Sequence, residues 1–456
     1  MNMPPVIWHE FNMGYNGTEN FAKGKRFGFF PAVSLGWVIS EEKFFPKNNI
    51  VKYLKVRGSY GEVGNDQIGG DRFLYLPSSY GAASDSGVNK YNFGLASNPY
   101  TSLMIVENKI GNPDLTWEKA KKMNVGVDIN LFNNCLTASF DIFKEKRNNI
   151  LANRSTSPMI IGANLPAYNF GEMENRGWEM DLNFRHHIQD FHYWARFNYS
   201  FARNEIIYMD EVQKRYDYQM TTGRRKNQFF GLIFDGYYNS WEEINALDRP
   251  KSSWSGNQLQ PGDVKYVDVN QDGVIDDYDM VPIGYTPVPE IIYGFSFGAQ
   301  YKGFDFSILF QGADNVSIKY FGRSMWPFAK GEESAKSLIK ERWTQERYEA
   351  GEKITFPRLS LNPNGETDHN YRPSTLWIRD ASYLRLKNLE VGYTFTGGFV
   401  KRLNLNSVRL YFNGSNLFTW TDVVDLDPEA PSRSGNVEIN TYPLQKVYNI
   451  GLNINF

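Results

Sequence analysis

The feature that most constrains this chain is strict two-residue alternation. In KMNVGVDINLF, Met123, Val125, Val127, Ile129 and Leu131 fall on one side of an extended strand and Asn124, Gly126, Asp128 and Asn130 on the other, because successive strand side chains point to opposite faces. A helix would scatter the same residues around its axis. The dyad recurs in LTASFDI, GWEMDLNF, FHYWARFNYSF, IIYGFSFGAQY, FDFSILF, LEVGYTF, VRLYFNG and the terminal YNIGLNINF. With RFGFFPAVSLGWV, YLKVRGSYG and a weak first strand near residues 8 to 16, the sequence predicts about twelve strands.

The connectors fall into two populations. Short ones follow every second strand: the Asn133-Asn134 turn, HHIQD at 186 to 190, YKGFD at 301 to 305 and a longer TGGFVKRLNLN near 396 to 406. The others run over roughly 65 to 118, 151 to 169, 207 to 290, 321 to 380 and 421 to 447. Short turns on one side and long loops on the other are the pattern of an outer-membrane barrel, and a soluble sandwich has no reason to sort its loops this way. The faces agree: one carries Phe, Tyr and Leu suited to lipid, the other Asn, Asp, Glu, Arg and Ser suited to a hydrated lumen. The expected fold class is therefore all-β, a transmembrane antiparallel β-barrel spanning residues 1-456. If Phe456 ends the last strand on the periplasmic side, parity puts every long loop, including 207-290, outside the cell.

Composition narrows the partners. The net charge is −2 with acids and bases interspersed, which gives no nucleic-acid footprint and no polybasic membrane patch. No window approaches the ~18 consecutive apolar residues of a transmembrane helix, but a barrel strand needs only about ten alternating ones. The single cysteine, Cys135, can form no internal disulfide and is given no role. MNMPPVIWHEF lacks a basic segment followed by an apolar one, so any export signal is expected to lie outside this chain.

One stretch carries ligand chemistry. DVNQDGVIDDYD, Asp268 to Asp279, places acidic or amide side chains at positions 1, 3, 5, 9 and 12 of a twelve-residue loop with glycine at position 6, the spacing of a calcium loop. Asp268, Asn270 and Asp272 would supply side-chain oxygens, Gly273 the sharp turn, Val274 a backbone carbonyl, and Asp276 a direct or water-mediated contact. Asp279 replaces the usual bidentate Glu. The flanks VKYV and VPIGYTPVPEIIYG oppose the helices of an EF-hand, so the expected role is structural: a Ca2+ ion folding an exterior loop with no core of its own. The plainer alternative is an acidic turn without metal, since Asp, Asn and Gly are ordinary turn residues.

Other motifs carry less. GFSFG at 294 to 298 matches the nucleophile-elbow pattern, but that pattern needs a strand turning into a helix, and the following AQYKGFDF reads as a strand entering a hairpin. None of His9, His186, His187, His192 and His369 has metal-ligand spacing, so the chain is expected not to be an enzyme. In the long loops, Tyr237, Tyr238, Trp241, Trp254, Trp326, Trp343 and Trp377 are candidates for stacking on sugar rings; the alternatives are interface anchoring and loop packing.

In order along the chain, FGFFPAVSLGWVISEEKFF (27 to 45), YLKVRGSYGEVGND (53 to 66), LTWEKAKKMNVGVD (115 to 128), NRGWEMDLNF (175 to 184), PGDVKYVDVNQDGVIDDYDMVPIG (261 to 284), ASYLRLKNLEVGYTF (381 to 395), LYFNGSNLFTW (410 to 420) and VYNIGLNINF (447 to 456) resemble the C-terminal half of the SusC-like family (RagA/SusC type). These are TonB-dependent outer-membrane transporters of Bacteroidota that import glycans and some peptides. The resemblance implies about the last twelve strands of a 22-stranded barrel, with the plug domain expected to be absent from this chain. It also implies a SusD-like surface lipoprotein as lid, the TonB complex acting through that plug, and the barrel assembly machinery reading a terminal strand that ends in Phe456. The alternative from another class is a secreted, calcium-stabilised β protein that binds or cleaves polysaccharide.

Overall fold

The protein was analysed as a computed structural model that describes residues 6-69, 72-76, 80-82, 90-95, 97, 100-107, 110-156, 165-254, 259-320, 326-328, 337-360, 368-429, 436-437 and 443-456. Twelve long strands pair in chain order into one antiparallel sheet. They are β1 (Ile7–Gly17), β2 (Phe27–Val38), β3 (Val51–Asn65), β4 (Glu118–Leu131), β5 (Leu136–Ala152) and β6 (Tyr168–Ile188). The second half comprises β7 (Phe191–Tyr208), β8 (Ile291–Tyr301), β9 (Phe304–Asp314), β10 (Tyr383–Phe395), β11 (Ser407–Thr421) and β12 (Val447–Asn455). Among the described residues β1 and β12 are paired on one side only.

Register turns the alternation into two continuous faces. Val125, Ile142, Trp178, Phe201 and Ile291 stand opposite one another across β4 to β8. One residue along, Gly126, Asp141, Glu179 and Ser200 form the corresponding row of the other face. Val125, Ile142, Phe295, Ile450 and Leu452 are exposed. Each would disfavour contact with water by roughly 25 cal/mol per Å² of apolar surface, so this face is built for lipid. The opposite face is laced with ions: Arg57 on β3 holds Asp141 at 2.6 Å and Asp128 at 3.1 Å, and Arg409 on β11 pairs with Asp305 and Glu390. A charged pair is tolerated there because that face looks into a polar interior.

The short turns close tightly. Phe132, Asn133 and Asn134 all have positive φ between β4 and β5, a conformation asparagine tolerates better than most residues. Lys302-Gly303 joins β8 to β9, again with both φ values positive, as a two-residue hairpin turn requires. One expectation shifts. His186 and His187 are not in a turn: β6 continues to Ile188, where they pair with Tyr193 and His192, and Gln189-Asp190 makes the turn. GFSFG lies inside β8, with Ser296 opposite Arg196 and Leu309.

The long loops depart further from expectation, because they do have a core. Segments between β7 and β8, between β9 and β10, and after β11 bury Leu232, Val264, Tyr320, Phe356, Tyr371 and Trp377 against one another. Short strands frame this lobe. Ser317–Tyr320 continues from β9 and pairs with Ile378–Asp380, which leads into β10. Phe234–Tyr237 pairs with Val264–Tyr266, and Lys251–Ser252 lies parallel to Val274–Ile275. The lobe therefore grows out of the wall at the long-loop end.

Candidate functional site

At the centre of the lobe a buried carboxylate ties three segments together. Asp263 accepts from Arg358 Nε at 2.6 Å, from Asn370 Nδ2 at 2.8 Å and from the Gln260 amide at 2.8 Å. Asn370 Oδ1 in turn accepts from the Val264 amide, and Trp377 Nε1 donates to the Asn370 carbonyl. His369 closes the group: Nε2 lies 2.7 Å from the Val264 carbonyl and Nδ1 3.0 Å from Ser252 Oγ. In the neutral ring with Nε2 donating, Nδ1 accepts from the Ser252 hydroxyl. Burial pushes its pKa below the ordinary histidine value, against the pull of the Val264 carbonyl, Asp263 and Asp368.

The Asp268 to Asp279 loop is held by hydrogen bonds from its own side chains to its own backbone. Asp268 Oδ2 accepts from the Gly273 amide at 2.8 Å, linking positions 1 and 6, and Gly273 has a φ of 81°. Asn270 accepts from the Asp272 amide, Asp272 from that of Val274, and Asp276 from that of Tyr278. Val274 sits in the short strand beside Lys251. The other oxygen of Asp268, Oδ1, is buried with no hydrogen-bond partner. An orphaned buried carboxylate oxygen is costly, and its position in the motif is where a hard cation would be met.

Asp279 plays a different part from the one its spacing suggests. It is fully buried, its Oδ1 accepts from the Val269 amide at 2.8 Å, and its Oδ2 accepts from the Asp276 amide at 2.9 Å. With Asp276 it makes a reciprocal capping box around a short 3-10 turn. Burial pushes its carboxyl up, and Asp268 adds to the effect. Among the described residues no three His, Cys, Asp or Glu side chains converge as metal ligands. Both Asp279 oxygens are taken by amides, both Asp272 oxygens are taken as well, by the Val274 amide and Asn270 Nδ2, and Asp268, Asn270 and Asp276 each use one oxygen on a backbone amide.

Most of the sugar-stacking candidates are occupied as core. Tyr237, Tyr238 and Trp326 are buried, as are Trp343 and Trp377. Trp254 is half-buried under the Arg372 guanidinium, 4.1 Å from its ring centroid. Trp241 alone of the seven keeps an exposed ring, on a helical turn capped by Ser240. A ring packed against neighbouring loops has no face left for a sugar, which is why position in a loop was a poor guide. Phe456 is exposed beyond β12, on the face of Ile450, Leu452 and Ile454.

Below the lobe, the polar face of the wall is hollow. A cavity of about 860 Å³ opens at the rim between β4 to β7 and the 209-230 segment, with Glu118, Arg147, Met173, Asn204, Lys226 and Gln228 among its lining residues. A second of about 390 Å³ lies deeper on the wall against Ser139, Asp141, Glu179, Asp181, Asn198 and Ser200. Cavities of this size hold small ligands or segments of longer ones. In the second, Ser200 Oγ donates to Glu179 at 3.2 Å and Ser139 Oγ to Asp128 at 2.9 Å, part of the polar lacing of the wall, and Ser296 has no helix after it.

A wall with one face for lipid and one for water, crowned at one end by a packed loop lobe, defines a transmembrane β-barrel of the outer-membrane kind. The sequence carries the same assignment: a family model described as TonB dependent receptor-like, beta-barrel matches residues 8-417, and the chain belongs to that family of outer-membrane proteins. It is 28% identical over 98% of its length to TonB-dependent receptor P3 of Formosa agariphila, covering 44% of that protein. It is 27% identical over 98% of its length to TonB-dependent receptor SusC of Bacteroides thetaiotaomicron, covering 42% of it. The chain thus spans less than half the length of these relatives. Its fold matches a chain of the solved RagAB peptide transporter with a TM-score of 0.73 at 23% identity, over 99% of this chain and 46% of the other. These relatives are receptors and transporters, not enzymes, and the alternative of a secreted polysaccharide-active protein gives way to them.

Proposed function

We propose that this chain forms the wall and loop lobe of an importer that takes up oligosaccharides or peptides across the outer membrane, closed by a SusD-like surface lipoprotein and energised through TonB. The observation that carries the reading is the placement of the lobe and the rim cavity together at the long-loop end of a wall whose polar face is hollow. The name of SusC and the description of RagAB as a peptide transporter support the same class of function. The test is depletion of defined oligopeptide and oligosaccharide pools from the medium by cells with the gene intact, interrupted, or intact in a background lacking TonB. Depletion should require both the gene and TonB; uptake that persists without either one would sink the proposal.

The same reading gives the Asp268 loop a structural task. A Ca2+ or similar hard cation held by Asp268, Asn270, Asp272, Asp276 and the Val274 carbonyl would partner the orphaned Asp268 Oδ1. The ion would brace the edge of the lobe, with Asp279 ordering the backbone beneath it. Chelation of the folded protein should then expose residues 261-284 to protease, and an unchanged cleavage pattern would count against the ion.

A further inference from the structure

The lipid-facing side of the wall changes character in a single step. The row Val125, Ile142, Trp178, Phe201 and Ile291 is apolar, and Trp178 stacks on Tyr199 with ring centroids 4.7 Å apart. Two residues nearer the long loops, on the same face by register, Lys144, Arg176 and Arg203 stand directly opposite one another on β5, β6 and β7. The next row contains Lys121 and Lys146 beside Glu174 and Glu205. Like charges directly across paired strands repel, so the first charged row needs anions.

The protein supplies them unevenly. Lys144 has Glu174 at 2.9 Å and Arg203 has Glu290 at 2.8 Å, but Glu290 is shared with Arg225. Arg176, in the middle, reaches Glu174 only at 4.0 Å and Glu205 only at 3.9 Å, and its side chain is 61% exposed. Those separations are too long for hydrogen bonds. Glu174 is itself withdrawn, 15% exposed, and Glu205 is 43% exposed, so Arg176 is more open to a ligand than either carboxylate near it.

We infer that the Lys144, Arg176 and Arg203 row is a docking surface for the phosphorylated headgroup of a bilayer lipid. The apolar row below it would meet acyl chains, the Trp178-Tyr199 stack marks the interface where amphipathic rings collect, and the cations stand one step higher, at headgroup level. A guanidinium with unused donors matches a phosphate bidentately, and a phosphate between Arg176 and its neighbours relieves the opposed charges. The inference rests on the reading of this face as lipid-contacting; it does not depend on the cargo.

The test uses the intact outer-membrane protein that carries this chain, purified in a neutral detergent and titrated with micelles containing a lipid whose headgroup bears a phosphate monoester. The same lipid after dephosphorylation and inorganic phosphate alone are the other arms. The phosphorylated lipid should bind more tightly than its dephosphorylated form and resist competition by inorganic phosphate. Arg176→Gln should weaken it about tenfold, the loss of one charge-assisted contact, and Lys122→Gln on the opposite face of β4 should leave it unchanged. Heat-modifiable mobility shows that each variant is folded. Should Arg176→Gln fail that check, Lys144→Gln combined with Lys146→Gln carries the same expectation. Equal binding of the two lipids, full displacement by inorganic phosphate, or undiminished affinity in the folded variants would each overturn the inference. The assay scores lipid on folded barrel, so its failure and that of the import proposal are separately readable.

Discussion

The wall and the lobe of this protein solve the same problem by opposite means. In the wall, the apolar face is left uncovered by the protein: Val125 and Ile142 remain exposed, and stability comes from cross-strand pairing and from a surrounding that is not water. In the lobe, Trp377 and Val264 are buried among side chains from distant parts of the chain, as in a soluble domain. The wall is periodic and the lobe is not. A change in the lobe should therefore be felt as a lost packing contact, and a change in the wall as the wrong side chain on the wrong face.

The largest expected effect tests the lobe. Trp377 is 2% exposed, meets Phe356 edge-on at 5.4 Å and donates to the Asn370 carbonyl. Trp377→Ala should cost the lobe about 3–5 kcal/mol. The check is limited proteolysis of the long loops together with heat-modifiable mobility of the wall. Loop cleavage with an intact barrel confirms that the two regions are separately stabilised, whereas joint collapse would show them to be one unit.

Next comes the wall. Phe295 and Ser296 are neighbours on β8, with Phe295 exposed on the apolar face and Ser296 on the polar one. Phe295→Arg should destabilise by about 2–4 kcal/mol if it lies near the bilayer midplane, while Ser296→Arg should cost much less. Urea unfolding in lipid vesicles measures both, and equal losses would remove the distinction between the faces.

A smaller effect is expected at Asp279. Asp279→Ala strips acceptors from the Val269 and Asp276 amides in a buried setting and should loosen the loop by about 1–3 kcal/mol. If its role is to cap backbone, protease sensitivity of residues 261-284 rises even with chelator present. A change seen only when calcium is supplied would instead make Asp279 a ligand.

How much of this was legible depends on how local the cause is. The strands β4 to β9 and their turns follow from the two-residue period and from Asn133, Asn134 and Gly303, all readable within a dozen residues. The Asp268 to Gly273 link was legible for the same reason. The lobe was not, because Asp263 and Arg358 are separated by 95 residues and Asp263 and Asn370 by 107, and nothing in either neighbourhood announces the other. Asp279 shows a subtler ambiguity: D-x-x-D reads equally as two loop ligands or as a capping box, and the capping bonds come into view only with the fold. The cationic row of Lys144, Arg176 and Arg203 needed the registers of three strands before it existed at all.

The smallest effect is a pH dependence confined to the lobe. The desolvated ring of His369 has a pKa below that of the unfolded chain. Asp263 and Asp368 favour its charged form and Arg372 opposes it, with desolvation the largest influence. A depressed folded-state value means that the unfolded lobe takes up the proton first. The contribution of His369 is therefore fully present above the ordinary histidine value near ~6.5 and is lost as pH falls below it toward the folded value. Melting of the lobe followed by tryptophan fluorescence should move to lower temperature between neutral pH and about pH 5, and His369→Gln should remove most of that dependence. The wall offers the internal comparison: across this range its melting should be the same in His369→Gln as in the parent protein. A lobe midpoint that shifts as much in His369→Gln as in the parent protein would place the pH sensitivity elsewhere and leave His369 as packing alone.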